Sequence, residues 1–369
     1  VVNLGVRNCP CAELLVGIAP GDAIRAFRND EPVVGYLAGA VTPNVIQVEN
    51  LGELINLCCS RLSQVTRLNV VPLAYVSIQS SNDVSVINTN TNTVIDTIGV
   101  GNSPGGVAFT RDARKAYVSN NGSDSVSVID TLNGVVVKEI PVGNGPDEIV
   151  FTPTGEKAYV TNTSDDTVSV IDTATELVIA TIQVGDAPRG IAISPEGAKI
   201  YVANFGGDTV SVINTATDTV TGTITVGDNP IGVAFSPDGS KAYVTIFDEG
   251  IVTVIDVATD TAVDTILVQN GPFGVAFTPN GQKAYVTNFN ADSVSVIDVS
   301  SDTVLTTITD DIGANPVAVA VTPDGAKAYV ANFDETFVSV IDVNDDAVFA
   351  TISVGSSPTG VAIAPIPLA

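Results

Sequence analysis

Histidine, methionine and tryptophan are absent from all 369 residues. Without histidine no serine triad can draw on its usual base, and no haem-attachment motif can be complete. A chain without methionine has lost its initiator, so Val1 is expected to follow a removed leader or an unseen upstream segment, a secretory signal peptide being one candidate. Long apolar runs are missing too: the longest, Val33–Val41, is far below the roughly 20 residues of a membrane helix, so a soluble chain without a membrane span is expected. Positive charge is scarce, with 15 Lys and Arg against 41 Asp and Glu for a net −26, which would repel a phosphate backbone and argues against a nucleic-acid partner. Cysteine is limited to Cys9, Cys11, Cys58 and Cys59.

What the chain has in abundance is one sentence, AYVTNFNADSVSVID at Ala284–Asp298, repeated seven times. The tyrosines of the copies are Tyr75, Tyr117, Tyr159, Tyr201, Tyr243, Tyr285 and Tyr329, spaced by 42 residues five times and then by 44, which places a two-residue insertion near Thr309–Gly313. A period of about 40 to 45 residues signals a propeller of four-stranded blades. Each copy holds four β-branched runs bounded by turn residues, as in Gly274–Thr278, Lys283–Asn288, Ser293–Asp298 and Thr303–Thr309, and these read as antiparallel strands A to D from the axis outward. Between A and B, Pro195-Glu196-Gly197, Pro237-Asp238-Gly239, Pro279-Asn280-Gly281 and Pro323-Asp324-Gly325 are hairpin turns, proline fixing φ and glycine accepting a positive one. A lysine follows six times, at Lys115, Lys157, Lys199, Lys241, Lys283 and Lys327.

The first copy has no strand A, whereas Thr359–Ala364 at the other end of the repeat array aligns with strand A and has no strand B after it. The expected fold is therefore all-β, a seven-bladed β-propeller over residues 74–369 closed by the C-terminal strand, with Tyr75 and Val76 meeting Val361 and Ile363 at the seam. Closure removes sheet edges that would otherwise aggregate.

AYVTN at Ala158–Asn162 and Ala284–Asn288, AYVSN at Ala116–Asn120 and YVAN at Tyr201–Asn204 resemble the YVTN-family β-propeller repeat. The resemblance covers residues 74–369 and implies the kind of propeller found in archaeal surface-layer proteins and many secreted prokaryotic proteins. The asparagine departs to Ile78 and Ile246 in two copies.

Residues 1–73 lie outside the repeat and carry a net −1 against −25 for the remainder. They read as a small β-rich domain, a sandwich or barrel with strands at Glu13–Ile18, Ala23–Arg28, Val33–Val41, Val45–Val48, Leu54–Cys58 and Val65–Val71. Leu51–Leu62 has an alternative reading as a short helix, since Leu51, Leu54, Ile55 and Cys58 fall at helical spacing. The pairs Cys9/Cys11 and Cys58/Cys59 are too close to bond internally without strain, so disulfides to separate partners, within or between chains, are favoured over buried thiols or a metal site.

Candidate chemistry in the repeat is sparse. Gly101-Asn102-Ser103-Pro104-Gly105 matches G-x-S-x-G but precedes a strand, where the hydrolase elbow needs a strand-to-helix turn. Walker and dinucleotide motifs are missing, so no catalytic, cofactor or metal residues are assigned. Proline recurs before strand A at Pro104, Pro146, Pro188, Pro230, Pro272, Pro316 and Pro358, usually with glycine two residues on. Asp147, Glu148 and Arg189 break that pattern and are the candidate binding residues of a channel mouth. Asp124, Asp166, Asp208 and Asp292 before strand C, and Asp130, Asp172, Asp256, Asp298 and Asp342 after it, suggest calcium, but the spacing is that of turns and weak cation screening fits better. Asn121 and Asn162 open glycosylation sequons.

These features lead to the expectation of a non-enzymatic, secreted structural protein. It would self-assemble as a homo-oligomer or homopolymer through residues 1–73, into a surface layer, filament or appendage at the cell surface. The alternative is an extracellular binding module using the channel mouth or rim for a small molecule, glycan or protein. A propeller enzyme of lactonase or quinoprotein type comes third, on fold analogy alone.

Overall fold

The computed structural model describes the backbone of residues 23–28, 31–42, 45–50, 53–58, 62–67 and 71–366, and the side chains of residues 72–364. Cys9, Cys11 and Cys59, the side chain of Cys58 and the expected strand at Glu13–Ile18 lie outside these limits. The chain forms two compact units, Val1–Val71 with Ile366–Ala369, and Pro72–Pro365.

In the first unit, β1 (Ala23–Arg28), β2 (Glu31–Thr42), β3 (Val45–Asn50), β4 (Glu53–Cys58) and β5 (Leu62–Arg67) form one antiparallel sheet in the order β4-β3-β2-β1-β5. Within the stretch that has a helical alternative, Glu53–Cys58 is a strand: β4 pairs with β3 at every position from Val45–Cys58 to Asn50–Glu53. A two-residue connection between two six-residue strands lets the ladder satisfy the backbone locally, which outweighs a helical spacing of four apolar residues.

The second unit is a seven-bladed propeller of four-stranded antiparallel sheets. In blade 6 strand A is Pro272–Phe277, B is Lys283–Asn288, C is Ser293–Asp298 and D is Thr303–Ile308. Blade 1 takes strand A from Pro358–Ile366, hydrogen-bonded beside Val71–Ile78, so the last strand closes the ring. The A–B turns have the expected backbone, with φ of +77° at Gly197, +70° at Gly239 and +69° at Gly281 and Gly325.

Strands B and C are buried on both faces because each sheet is sandwiched between two neighbours; strand D faces solvent and is largely exposed apart from one buried residue near its end, such as Ile182. The cores lie between blades. Tyr117, Val126 and Val128 of blade 2 pack with Ile149, Ala158, Val160 and Ile171 of blade 3. The seam has the same construction: Ala74, Val76 and Ile78 of blade 1 pack with Tyr329, Val338 and Val340 of blade 7, and Val361 and Ile363 lie against them. All seven repeat tyrosines are fully buried, which makes them the largest apolar contribution at each boundary.

A polar clasp crosses most of these boundaries. Tyr201 Oη donates to Asp260 Oδ1 at 2.5 Å, and Lys199 Nζ reaches both oxygens of the same carboxylate at 2.8 and 2.9 Å. Lys157 and Tyr159 hold Asp218, Lys241 and Tyr243 hold Asp302, and Lys283 and Tyr285 hold Asp346 in the same way. At the seam Lys327 and Tyr329 hold the neutral Asn92. Blades 1 and 2 have no such clasp, since Leu73 replaces the lysine and Gly134 the acid.

Candidate functional site

Strand A of each blade starts beside the axis, and its first residues line the channel. After the proline come Thr359, Gly105, Asp147, Arg189, Ile231, Phe273 and Val317, then Gly360, Gly106, Glu148, Gly190, Gly232, Gly274 and Ala318. Glycine dominates the second set for a steric reason: a Cβ on Gly274 would sit 2.6 Å from Val317 O, and one on Gly190, Gly232 or Gly360 would meet the next blade's carbonyl even more closely. Hydroxyls on strand B tie these crossings, Thr161 donating to Arg189 O and Thr245 to Phe273 O, both at 2.7 Å.

Glu148 is the one charged residue in the glycine set, and its neighbour blade is built to receive it. A Cβ on Gly106 would lie 2.5 Å from Glu148 Oε2, so that glycine of blade 2 leaves room for the Glu148 carboxyl, while the Asp147 carboxyl lies at ordinary contact distance from the Gly105 position. An extended strand would send residues 147 and 148 to opposite faces. The register shift between Pro146 and Ile149 in the pairing with strand B breaks that alternation, and both side chains line the channel.

The mouth encloses about 490 Å³. One side is polar, with Asn121, Asp147, Glu148, Thr163 and Arg189; the other is apolar, with Ile231, Phe273, Phe289, Val317 and Phe333. Phe273 and Phe289 stack at 5.9 Å between ring centroids, with Phe247 at 6.3 and 6.1 Å from them. The Arg189 guanidinium lies 4.7 Å over the Phe205 ring, makes no ion pair among the described residues, and its Nε is buried without a hydrogen-bond partner. Burial raises the Asp147 pKa against the pull of Arg189. Glu148 is pushed up to about 8, first by burial and then by the charge of Asp147.

The structure thus brings Asp147, Glu148 and Arg189 to one mouth. Ser103 also lines this mouth but holds a scaffold position: with φ of +50° it occupies the turn that Gly145, Ala187, Asn229, Gly271, Asn315 and Ser357 fill in other blades. Its N–H donates to Asn82 Oδ1 at 2.8 Å, as those of Gly145, Ala187, Asn229 and Asn315 donate to Asp124, Asp166, Asp208 and Asp292. These aspartates are caps between blades, and Asp130, Asp172, Asp256, Asp298 and Asp342 accept amides of the C–D turns. Of the sequon asparagines, Asn121 is exposed, whereas Asn162 is fully buried and donates to Thr167 and Ser169.

Two features went unread in the sequence. Phe205, Phe247, Phe289 and Phe333 follow strand B in blades 4 to 7 where blades 1 to 3 have Gln79, Asn121 and Thr163, so the aromatic arc is visible once the copies are stacked. The clasp acids Asp218, Asp260, Asp302 and Asp346 recur at a fixed distance beyond strand C, but their partners lie about 60 residues earlier on another blade.

No curated protein matches the chain. Hydrazine synthase of Kuenenia stuttgartiensis is similar over 72% of this chain and 96% of its own, at 22% identity and a TM-score of 0.66. A functionally unknown protein of Desulfotomaculum acetoxidans is similar over 79% and 98%, at 18% identity and 0.71. The dihydro-heme d1 dehydrogenase NirN is similar over 79% and 74%, at 15% identity and 0.63. At these identities the likeness establishes the fold alone. A family model for the YNCE-like beta-propeller matches residues 81–196 and 149–267, overlapping spans that together take in just over half of the sequence, and the chain belongs to that family.

Proposed function

We propose that the protein is an extracellular binding module whose channel mouth holds a small molecule, and that it is not an enzyme. The observation that carries this reading is Arg189, a half-buried guanidinium that forms no ion pair among the described residues, in the wall of a cavity that also holds the half-buried carboxyls of Asp147 and Glu148, the latter interrupting the glycine ring. Groups of this kind cost stability when nothing meets them, and they cluster at sites. The apolar half of the mouth supplies area for a ligand's body. Ser103 has no histidine to activate it and sits in a scaffold turn, which favours binding over hydrolysis. Fluorimetric melting of the wild type and of Asp147→Ala/Glu148→Gln/Arg189→Ala against a panel of small metabolites tests the reading. Compounds that raise the wild-type melting temperature should leave the variant unmoved. A panel without hits, or hits that act equally on the variant, would overturn it.

A second reading keeps the protein as a secreted, YVTN-type structural component that assembles through residues 1–73 and its cysteines, with cations screening the surface weakly. It is favoured by apolar side chains left on the outer faces of blades 2 and 3, Val137 at 52%, Leu177 at 58% and Ile179 at 53% exposure. Light scattering with and without reductant distinguishes it: reductant-sensitive oligomers support assembly, and a monomer under both conditions removes it.

A further inference from the structure

We propose that the mouth selects a small protonated amine with an apolar body and a neighbouring oxygen, the ammonium seated at Asp147 and Glu148, the oxygen on Arg189 and the body against Phe273 and Phe289. The proposal rests on the mouth being a ligand site, as argued above. Its first support is the count of charges. Two carboxyls share the cavity wall with one guanidinium that is paired with neither among the described residues, so once Glu148 gives up its proton the carboxylates outnumber the guanidinium and a cation that replaces that proton is accommodated, whereas an anion has no such partner. Its second support is placement. The carboxyls reach over Gly105 and Gly106 on one side, and the stacked phenylalanines lie on the other, so a molecule spanning the mouth presents one charged end and one apolar end. The third is the Arg189 guanidinium, half-buried in the mouth wall and without an ion pair among the described residues, whose outer N–H groups are donors that an uncharged oxygen next to the amine would satisfy.

Binding should be coupled to a proton. The strands packed against Glu148 bring few groups to it: Gly106 from blade 2 and Thr161 from strand B of its own blade, so Asp147 is its charged neighbour among the described residues, and Arg189 of blade 4 acts on Asp147. Near neutral pH the Glu148 carboxyl holds its proton. An ammonium ion beside it favours the carboxylate, and the proton leaves to solvent: the protonated amine plus the protonated carboxyl give the ion-paired complex and one released proton. Affinity then rises with pH, by up to about tenfold per pH unit below the pKa of Glu148, and flattens above it.

Calorimetric titration with β-hydroxyphenethylamine tests this, with phenylethylene glycol as the neutral isostere and hydrocinnamate as the anionic one, in phosphate and in Tris at pH 7. The amine should bind about tenfold or more tightly than either comparator, with close to one proton released per site by the difference between buffers. Glu148→Gln, checked for an unchanged fold by circular dichroism, should bind the amine without proton release and with affinity flat between pH 6 and 8. Hydrocinnamate or the glycol binding as well as the amine would overturn the cationic class while leaving the mouth as a ligand site. Amine binding without proton release by the wild type would overturn the role of Glu148. Failure of all three compounds to bind would overturn the proposal together with the reading it rests on.

Discussion

Replacing Asp260 with alanine removes one clasp and shows what such a clasp contributes. Three losses are expected. The Tyr201 hydroxyl, which donates to Asp260 at 2.5 Å, is left without a partner at a cost of about 1–3 kcal/mol. The ion pair with Lys199 is about one-third exposed at both ends, so it adds only about 0.5–1 kcal/mol. Residue 260 has φ of +53°, which aspartate tolerates better than alanine by ~1 kcal/mol. The sum is roughly 2.5–5 kcal/mol, or a fall of about 5–10 °C for a unit of this size. Asp260→Gly isolates the backbone component and should cost about 1 kcal/mol less than the alanine variant. Combining Tyr201→Phe with Asp260→Ala should cost less than the sum of the two changes, by about 1–2 kcal/mol, because each alone already breaks the same bond. Urea unfolding followed by tyrosine fluorescence measures the wild type, the three single variants and the double variant. Strict additivity, or an alanine variant within about 1 °C of wild type, would refute the clasp as a stabilising contact between blades.

Three further outcomes follow from the same contacts. Removing residues 358–369 takes strand A from blade 1 and exposes Val76 and Ile78 at the seam, so the melting temperature should drop by about 10 °C or more, or the protein should aggregate, as read by scanning calorimetry. At the boundary of blades 2 and 3 the clasp is faulty: Glu176 pairs with Lys115 and Lys138 while the buried Tyr117 Oη has no partner, so Glu176→Asp should let the tyrosine donate and stabilise by ~1 kcal/mol in urea unfolding. The buried tyrosines have raised pKa values, Tyr75 at about 12 and Tyr201 higher, with burial the leading cause, so the folded state keeps protons that the unfolded chain sheds above about pH 10. Stability should therefore fall as pH rises through 10 to 12, and a flat profile there would contradict the burial of these hydroxyls.

The repeat made much of the fold legible because the signals are local. A Pro-x-Gly turn such as Pro237-Asp238-Gly239, followed by KAYVT and a second β-branched run, specifies a hairpin within about 20 residues, and seven copies of it leave a ring as the simplest closure. The closing strand could be inferred from a deficit, since the first copy lacks strand A. The clasps were opaque for the opposite reason: Lys199 and Asp260 are 61 residues apart and meet only through the packing of two blades. The substitution of asparagine by Ile246 shows how the fold absorbs a break in the motif. Where asparagine would donate to the hydroxyl of strand C, Thr253 instead donates to Val226 O at 2.9 Å. The candidate site was legible as an interruption, Asp147, Glu148 and Arg189 among positions otherwise uncharged, but its electrostatics were not. They depend on the glycines of blade 2 and on the bulge after Pro146, which sequence spacing does not reveal.

The most direct test of the mouth as a ligand site is the pH dependence of stability when Glu148 is returned to the residue used in most blades, Glu148→Gly. With a folded pKa of about 8 against an ordinary 4.5, the folded state holds a proton that the unfolded chain has shed, so wild-type stability should fall between these two pH values and level off above the higher one. Channel solvent moderates the effect to an order of ~1–2 kcal/mol, and the added backbone freedom of glycine offsets ~0.5–1 kcal/mol of the relief. Melting curves of the two proteins should therefore converge or cross near pH 5 and separate by pH 9, with the glycine variant the more stable at high pH, as expected when a carboxyl is kept for binding at the expense of the fold. Parallel pH profiles with the variant less stable throughout would mean that Glu148 serves the scaffold, and the mouth would lose its standing as a site.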